Sequence, residues 1–280
     1  MSLLRFAAIA ALLLIAVAGN AEDVEVNRYL RYLQGGNVSY GILDGERILQ
    51  LDAAPWDGGT PTGLSVARND AAVLAPAEPG KVFAVGFNYR SHLGDRELPA
   101  VPPIFLKLPS AIIGPDNDII YPADASDLHY EGELVVVIGK TARKISVEEA
   151  PEYIFGITAG NDVSERLWQA SDLQWFRAKA SDTFGPLGPH VVSGLNYKDL
   201  LVQTRLNGKT VQSQRTRDHI HNIDAIVSFI SQYATLQPGD LIFTGTPGQT
   251  SAMQPGDIVE VEVEGVGILR NRIVAAENRN

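Results

Sequence analysis

Apolar and polar residues alternate over short stretches along most of this chain, the period-two signature of half-buried strands. Val24, Val26, Tyr29 and Tyr32 open the pattern, and Val38-Ser39-Tyr40-Gly41-Ile42-Leu43 continues it after Gly35-Gly36. Asp44-Gly45 is a hairpin turn signal, with Arg47-Ile48-Leu49-Gln50-Leu51 as the returning strand. Residues 22–80 therefore read as a small N-terminal β-meander followed, over 53–80, by an Ala-, Pro- and Gly-rich linker with at most one short helix. From Lys81 the texture changes. Strands are expected at 82–86, 104–107, 134–139, 155–159, 190–193, 202–206, 241–244, 258–263 and 267–273. Helical periodicity is confined to 146–153, 164–170 and 223–234. Many short strands with few helices predict a β-dominated α+β fold with rolled or barrel-like sheets, not alternating βαβ units. The main domain is set at 81–274 and a short tail at 275–280.

Composition narrows the chemistry. The 280 residues contain no cysteine, which excludes a thiol nucleophile, a thiolate metal site and any disulfide. Twenty-six glycines and sixteen prolines supply the turns that many short strands need. The net charge is −10 with no Lys/Arg block, so the basic footprint that nucleic acid requires is missing. An anionic small molecule stays possible where a few cations converge. Arg5 precedes an uncharged apolar run from Phe6 to Ala18, shorter than the ~20 residues of a membrane span. Small residues follow it, so residues 1–21 are expected to be an export signal cleaved after Ala18 or Ala21, leaving a periplasmic or secreted protein with no stable membrane span. Without cleavage and export the same protein would be cytoplasmic.

The densest chemistry lies in Asp127-Leu128-His129-Tyr130-Glu131-Gly132-Glu133-Leu134 and the apolar run after it. Glu131 and Glu133 are two apart at the mouth of a strand, hence on one face. Two carboxylates there repel each other and resist desolvation, and a bound cation would relieve both penalties. Asp162, which ends another apolar strand, offers a third carboxylate. The same residues also describe a solvated strand end, and Asp162 also suits an N-cap for 164–170. An oxygen-only set favours Mg²⁺, Mn²⁺ or Ca²⁺ over zinc or copper. His92 lies in a polar loop after a buried strand, with Asp95 three residues on to orient its imidazole. Lys179, flanked by Trp175 and Phe176 and followed by Gly185-Pro186, suits binding a carboxylate or stabilising an enolate, and equally reads as an ordinary surface lysine. His219 and His221 sit among Arg215, Arg217 and Asp218, and read as a solvated loop rather than a metal pair.

Five ordered motifs together resemble the fumarylacetoacetate hydrolase family: Gly86-Phe87-Asn88-Tyr89-Arg90-Ser91-His92; His129 to Leu134; Gly156-Ile157-Thr158-Ala159-Gly160-Asn161-Asp162-Val163-Ser164; Arg177-Ala178-Lys179 with Asp182-Thr183-Phe184-Gly185-Pro186-Leu187-Gly188-Pro189; and Phe243-Thr244-Gly245-Thr246-Pro247. The resemblance spans roughly Lys81 to Val274. It implies a mixed β-roll, of the C-terminal-domain type of that family, and a homodimer. It implies Glu131, Glu133 and Asp162 as ligands of Mg²⁺ or Mn²⁺, Lys179 as the active-site lysine and His92 as the histidine of a lid loop. Tyr89, Arg90, Gln212, Thr244, Gly245 and Thr246 match substrate-side positions. Two positions depart from the pattern: Asp95 replaces a glutamate common in hydrolytic members, and Leu167 stands where an aspartate is common.

By this resemblance the substrate is a small 2-oxo or 2,4-dioxo acid of the acylpyruvate type, with C–C cleavage through a metal-stabilised enolate and His92 as general base. The alternatives are an isomerase or decarboxylase of 2-hydroxy-dienoic or 2-oxo dicarboxylic acids in aromatic catabolism, or a non-catalytic exported binding protein.

Overall fold

The computed structural model describes residues 25–277. The expected export signal at 1–21 lies outside the described residues. Among the described residues no helix is long and apolar enough to cross a membrane.

Twelve strands form one large sheet, and its central member is Gly132–Ile138. Every residue of that strand is buried, as expected of an unbroken Val/Leu/Ile run covered on both faces. It pairs antiparallel with Ile154–Asn161 on one side and Leu241–Phe243 on the other. Beyond these lie Gly185–Ser193 in one direction, and Val82–Val85 with Ile104–Lys107 in the other. A second sheet of five strands runs in the order Lys209–Arg215, Leu201–Leu206, Ile258–Val263, Gly267–Ala275 and Asp118–Tyr121. The two sheets face each other across the main core. Leu134, Val136 and Ile138 meet Val202, Val261, Val263 and Leu269 there. Val135 and Val137, on the opposite face of the central strand, pack with Val82, Ala84, Leu241 and Phe243. Two folded-over β layers with one substantial helix are the β-dominated α+β roll that the strand pattern predicts.

That helix, Ile223–Tyr233, buries Ile223, Ile226, Val227 and Ile230 on one stripe, with Asn222 capping its N-terminus through a bond from Ala225 N. The other two expected helices are cut short. Pro151 limits the 146–153 segment to a 3₁₀ turn at Ala150–Tyr153, since proline supplies no backbone donor. Ser164–Glu165 pairs with Leu128–His129 as a two-residue ladder, and the helix starts only at Arg166. Its cap is Glu165, which accepts from Trp168 N at 2.7 Å. The N-cap reading of Asp162 is therefore replaced.

The N-terminal strands Asn27–Gln34, Asn37–Asp44 and Arg47–Leu51 form the expected meander. The segment read as linker adds a fourth strand, Pro61–Ala67. Asn27 pairs with Ser193, so these strands extend the large sheet.

Gly156 shows how tightly the strands close. A Cβ there would lie 2.5 Å from the Val192 carbonyl oxygen, a backbone atom that cannot rotate away. Gly156→Ala is expected to cost about 1–3 kcal/mol of stability, read as a lower thermal midpoint; an unchanged midpoint would contradict this packing.

Candidate active site

The register of two strands assembles three carboxylates. Gly132 pairs with Asn161, which brings the residues on either side of each into contact. Asp162 N donates to the Glu131 carbonyl at 2.8 Å, and Glu131 N donates to Asn161 Oδ1 at 2.8 Å. Glu131, Glu133 and Asp162 are all buried, with one carboxylate oxygen from each within 4.8 Å of the others. Gly132 makes this possible from behind. A Cβ there would fall 2.0 Å from Thr204 Oγ1 of the facing sheet.

Three cations answer the carboxylates. Lys179, on the short helix Phe176–Ala180, donates through Nζ to Glu131 Oε2 at 2.6 Å and Asp162 Oδ2 at 2.7 Å. Lys107 Nζ donates to Asp162 Oδ1 at 2.6 Å and also to the Lys179 carbonyl. Arg166 Nη2 donates to Glu131 Oε1 at 2.6 Å. Burial pushes the Glu131 carboxyl up, but Lys179 and Arg166 outweigh it and hold the group well below the usual carboxylate range. Burial opposes the charge on Lys179, and Asp162 and Glu131 reverse that, raising it. Burial lowers Lys107 despite Asp162. Glu133 has no such partner. Its Oε2 accepts from Gly245 N at 2.7 Å, while burial and the charges of Asp162 and Glu131 push it well up.

Among the described residues Glu133 is thus a buried carboxylate with two carboxylates beside it and no cation paired to it. A hard divalent cation touching Glu133, Glu131 and Asp162 would remove that deficit, and the all-oxygen donor set fits Mg²⁺ or Mn²⁺.

Beside this cluster opens a cavity of about 410 Å³, lined among others by Phe87, His92, Arg96, His129, Arg166 and Trp175. His92 and Arg166 stand where cavity and carboxylates meet, since both line it and both approach Glu131 Oε1. His92 Nε2 is 3.7 Å from that oxygen. Its Nδ1 lies 2.7 Å from the Gly248 carbonyl, which can only accept, so Nδ1 donates there and Nε2 faces the site. Asp95 is exposed and forms no hydrogen bond or ion pair among the described residues, so the expected His92–Asp95 dyad is absent here. A backbone carbonyl orients the imidazole instead.

Comparison with known proteins agrees with this architecture. The family model for the fumarylacetoacetate hydrolase C-terminal domain matches residues 81–274. This chain belongs to the fumarylacetoacetate hydrolase family. A second model, Rv2993c-like N-terminal, matches 27–76. The crystal structure of 2-hydroxyhepta-2,4-diene-1,7-dioate isomerase from Mycobacterium marinum superposes with a TM-score of 0.84 at 40% identity, covering 90% of this chain and all of that one. Bos taurus mitochondrial oxaloacetate tautomerase FAHD2A is 37% identical over 260 residues, 88% of this chain and 79% of that protein. Maleylpyruvate hydrolase from Sphingobium sp. SYK-6, solved with manganese(II) and pyruvate, gives a TM-score of 0.73 at 25% identity, covering 89% of this chain and all of that one. The chain is thus an enzyme of this family.

Within the family fold, the remaining sequence-predicted positions hold the scaffold. Gln212 accepts from Gly132 N and donates to Thr246 Oγ1 and the Pro247 carbonyl. Thr246 and Thr244 donate to the carbonyls of Gly132 and Leu134. Tyr89 is fully buried against His219, 4.6 Å between ring centroids, and Arg90 donates to the Arg96 carbonyl. Only Gly245, through Glu133, touches the carboxylate cluster, and none of the six lines the cavity. His219, expected in a solvated loop, packs against Tyr89, while His221 N donates to Asn88 Oδ1. Lys107 and Arg166 escaped the sequence reading. The signal for Lys107 was its place two residues after Phe105 in a strand, a charge on an inward face; for Arg166 it was its position four residues beyond Asp162.

Two outcomes follow from this geometry. Asp162→Asn should weaken Mn²⁺ binding at least ~10-fold, a loss in the range already seen for groups outside a ligand shell, measured by calorimetric titration; unaltered affinity would remove Asp162 from the site. Desolvation pushes His219 from an ordinary 6.5 down to about 3. The unfolded chain then takes up the proton first, so this residue erodes stability as pH falls from 6.5 toward 3. His219→Gln should flatten that acid limb in denaturant titrations, and an identical limb would refute the linkage.

Proposed function

We propose that this enzyme is a divalent-metal-dependent isomerase of small 2-oxo acids, moving a proton between carbon and oxygen through an enolate. The observation that carries the reading is the His92 imidazole, fixed by the Gly248 carbonyl with its free Nε2 facing the carboxylate cluster and the Lys179 ammonium beside it. Mg²⁺ or Mn²⁺ held by Glu131, Glu133 and Asp162 would supply Lewis-acid stabilisation of negative charge on the substrate's 2-oxo oxygen.

The protein's own groups account for the rest. His92 Nε2 takes a proton from the carbon next to the carbonyl, the C–H pair moves into the C–C bond and the carbonyl pair onto oxygen. The imidazolium formed lies near Glu131, which favours it. The proton returns to that oxygen to give the enol, and the reverse sequence gives the ketone. Lys179 and Arg166 keep Glu131 ionised, and Lys179 adds positive charge near the developing oxyanion. No step needs an activated water, which agrees with an imidazole that has a carbonyl rather than a carboxylate behind it. The isomerase and tautomerase among the relatives support the same outcome.

C–C cleavage of acylpyruvates is the second reading, favoured by the likeness to a hydrolase solved with pyruvate. It uses the same enolate chemistry but asks His92 to deprotonate water. Homodimerisation is part of the proposal as well, and export from the cell remains an expectation on residues 1–21.

The test follows enol absorbance of a 2-oxo dicarboxylic acid, and of acetylpyruvate, with purified protein and Mg²⁺ or Mn²⁺. Metal-dependent ketonisation that His92→Gln lowers by about 10²–10⁴-fold, with Asp95→Asn close to the parent rate, is expected. Faster cleavage of acetylpyruvate than ketonisation would make the enzyme a hydrolase. Turnover that survives EDTA would refute the metal assignment.

A further inference from the structure

Of the two guanidinium groups in the cavity, only one is committed. Arg166 donates to Glu131 Oε1, Gln169 Oε1 and Thr250 Oγ1 at 2.6–2.8 Å. Arg96 lines the same cavity, and its guanidinium makes no hydrogen bond or ion pair among the described residues. It is placed rather than loose. Its carbonyl accepts from Arg90 Nη1 at 3.0 Å, and its Cζ lies 4.9 Å from the centroid of the Phe87 ring. That ring continues the row, stacking on His92 with centroids 6.2 Å apart and planes 26° from parallel. Trp175 braces it edge-on at 6.4 Å.

The backbone at Phe87 is unusual. Its φ is +53°, left-handed, which a bulky L-residue adopts only when its surroundings impose it. Asn88 is pinned inward by bonds from its Nδ2 to the Thr244 and His221 carbonyls and from His221 N to its Oδ1. Next to this fixed residue, the Phe87 ring lines the cavity. Strain at a residue whose side chain forms a cavity wall is how binding sites commonly carry such outliers.

We propose that Phe87 and Arg96 form a distal subsite that selects substrates carrying a second carboxylate. This rests on the reading of the cavity as the 2-oxo acid site. The head of the substrate lies toward His92 and the carboxylate cluster, its chain runs along the Phe87 face, and its far carboxylate takes the unpaired donors of Arg96. Arg96 is exposed at the rim of the cavity, against the Phe87 ring, where a charge-assisted bond to its guanidinium discriminates against an uncharged tail.

The experiment compares 2-oxoglutarate with 2-oxopentanoate, acids of equal chain length that differ in the terminal carboxylate, by calorimetric titration of the Mn²⁺-loaded full chain. The wild type is expected to bind 2-oxoglutarate about tenfold or more tighter. Arg96→Met should collapse that preference, Arg96→Lys should retain part of it, and Phe87→Leu should reduce it by loosening the guanidinium. Thermal unfolding of each variant confirms that it is folded. Equal binding of the two acids by the wild type, or a preference that survives Arg96→Met, would overturn the subsite while leaving the 2-oxo acid site standing. Binding of neither acid by the wild type would overturn both.

Discussion

Three carboxylates share one buried space at the mouth of the central strand, and the protein is built around making that tolerable. Desolvation alone would expel such a group of charges or protonate it. Lys179 bridges Glu131 and Asp162, Lys107 takes the other oxygen of Asp162, and Arg166 takes the other oxygen of Glu131. Glu133 is left with a single backbone donor, Gly245 N. The arrangement is therefore balanced only in part by itself, and a hard cation touching all three carboxylates would relieve what remains.

Rigid and adjustable parts of the site come from different elements. Glu131, Glu133 and Asp162 lie at the ends of strands buried on both faces, and Gln212, Thr246 and Asn161 lock the neighbouring backbone. His92 comes from the four-residue helix Arg90–Leu93, tied to the opposite wall by Ser91, whose Oγ accepts from Gly248 N and donates to Gln214. The segment after it is exposed from Gly94 to Leu98. The carboxylate cluster thus stands on fixed strands, while Arg96 stands on an exposed segment, a division that suits positions needing accuracy on the one hand and adjustable contacts on the other. A glycine at each of three positions leaves no room for a Cβ: Gly132 lies against the Thr204 side chain of the facing sheet, Gly156 against the Val192 backbone and Gly160 against the Val135 and Phe243 side chains of its own sheet.

Much of this was legible in the chain. The unbroken Leu134-to-Ile138 run announced a doubly covered strand, and the Glu-Gly-Glu spacing announced two carboxylates on one face. The helix at Ile223–Tyr233 followed from its helical periodicity. Where the reading failed, a local signal met a competing one. Pro151 outweighed the helical period of 146–153, and Glu165 capped a helix that Asp162 was free to cap in sequence terms. Asp95 looked like a partner for His92 because three-residue spacing pairs side chains on a helical turn. The helix ends at Leu93 and Gly94 turns the chain away at φ +66°, so the carboxylate leaves the histidine's side.

By itself the sequence determined the strand-rich class, through periodicity, and the family, through five ordered motifs whose resemblance also named the three acids. Only the tertiary structure decided what neutralises those acids and what orients His92. Lys107 reaches Asp162 across 55 residues of chain, and His92 meets Gly248 across 156. Partners that far apart along the backbone leave no local pattern; sheet register and the closing of one layer over another bring them together.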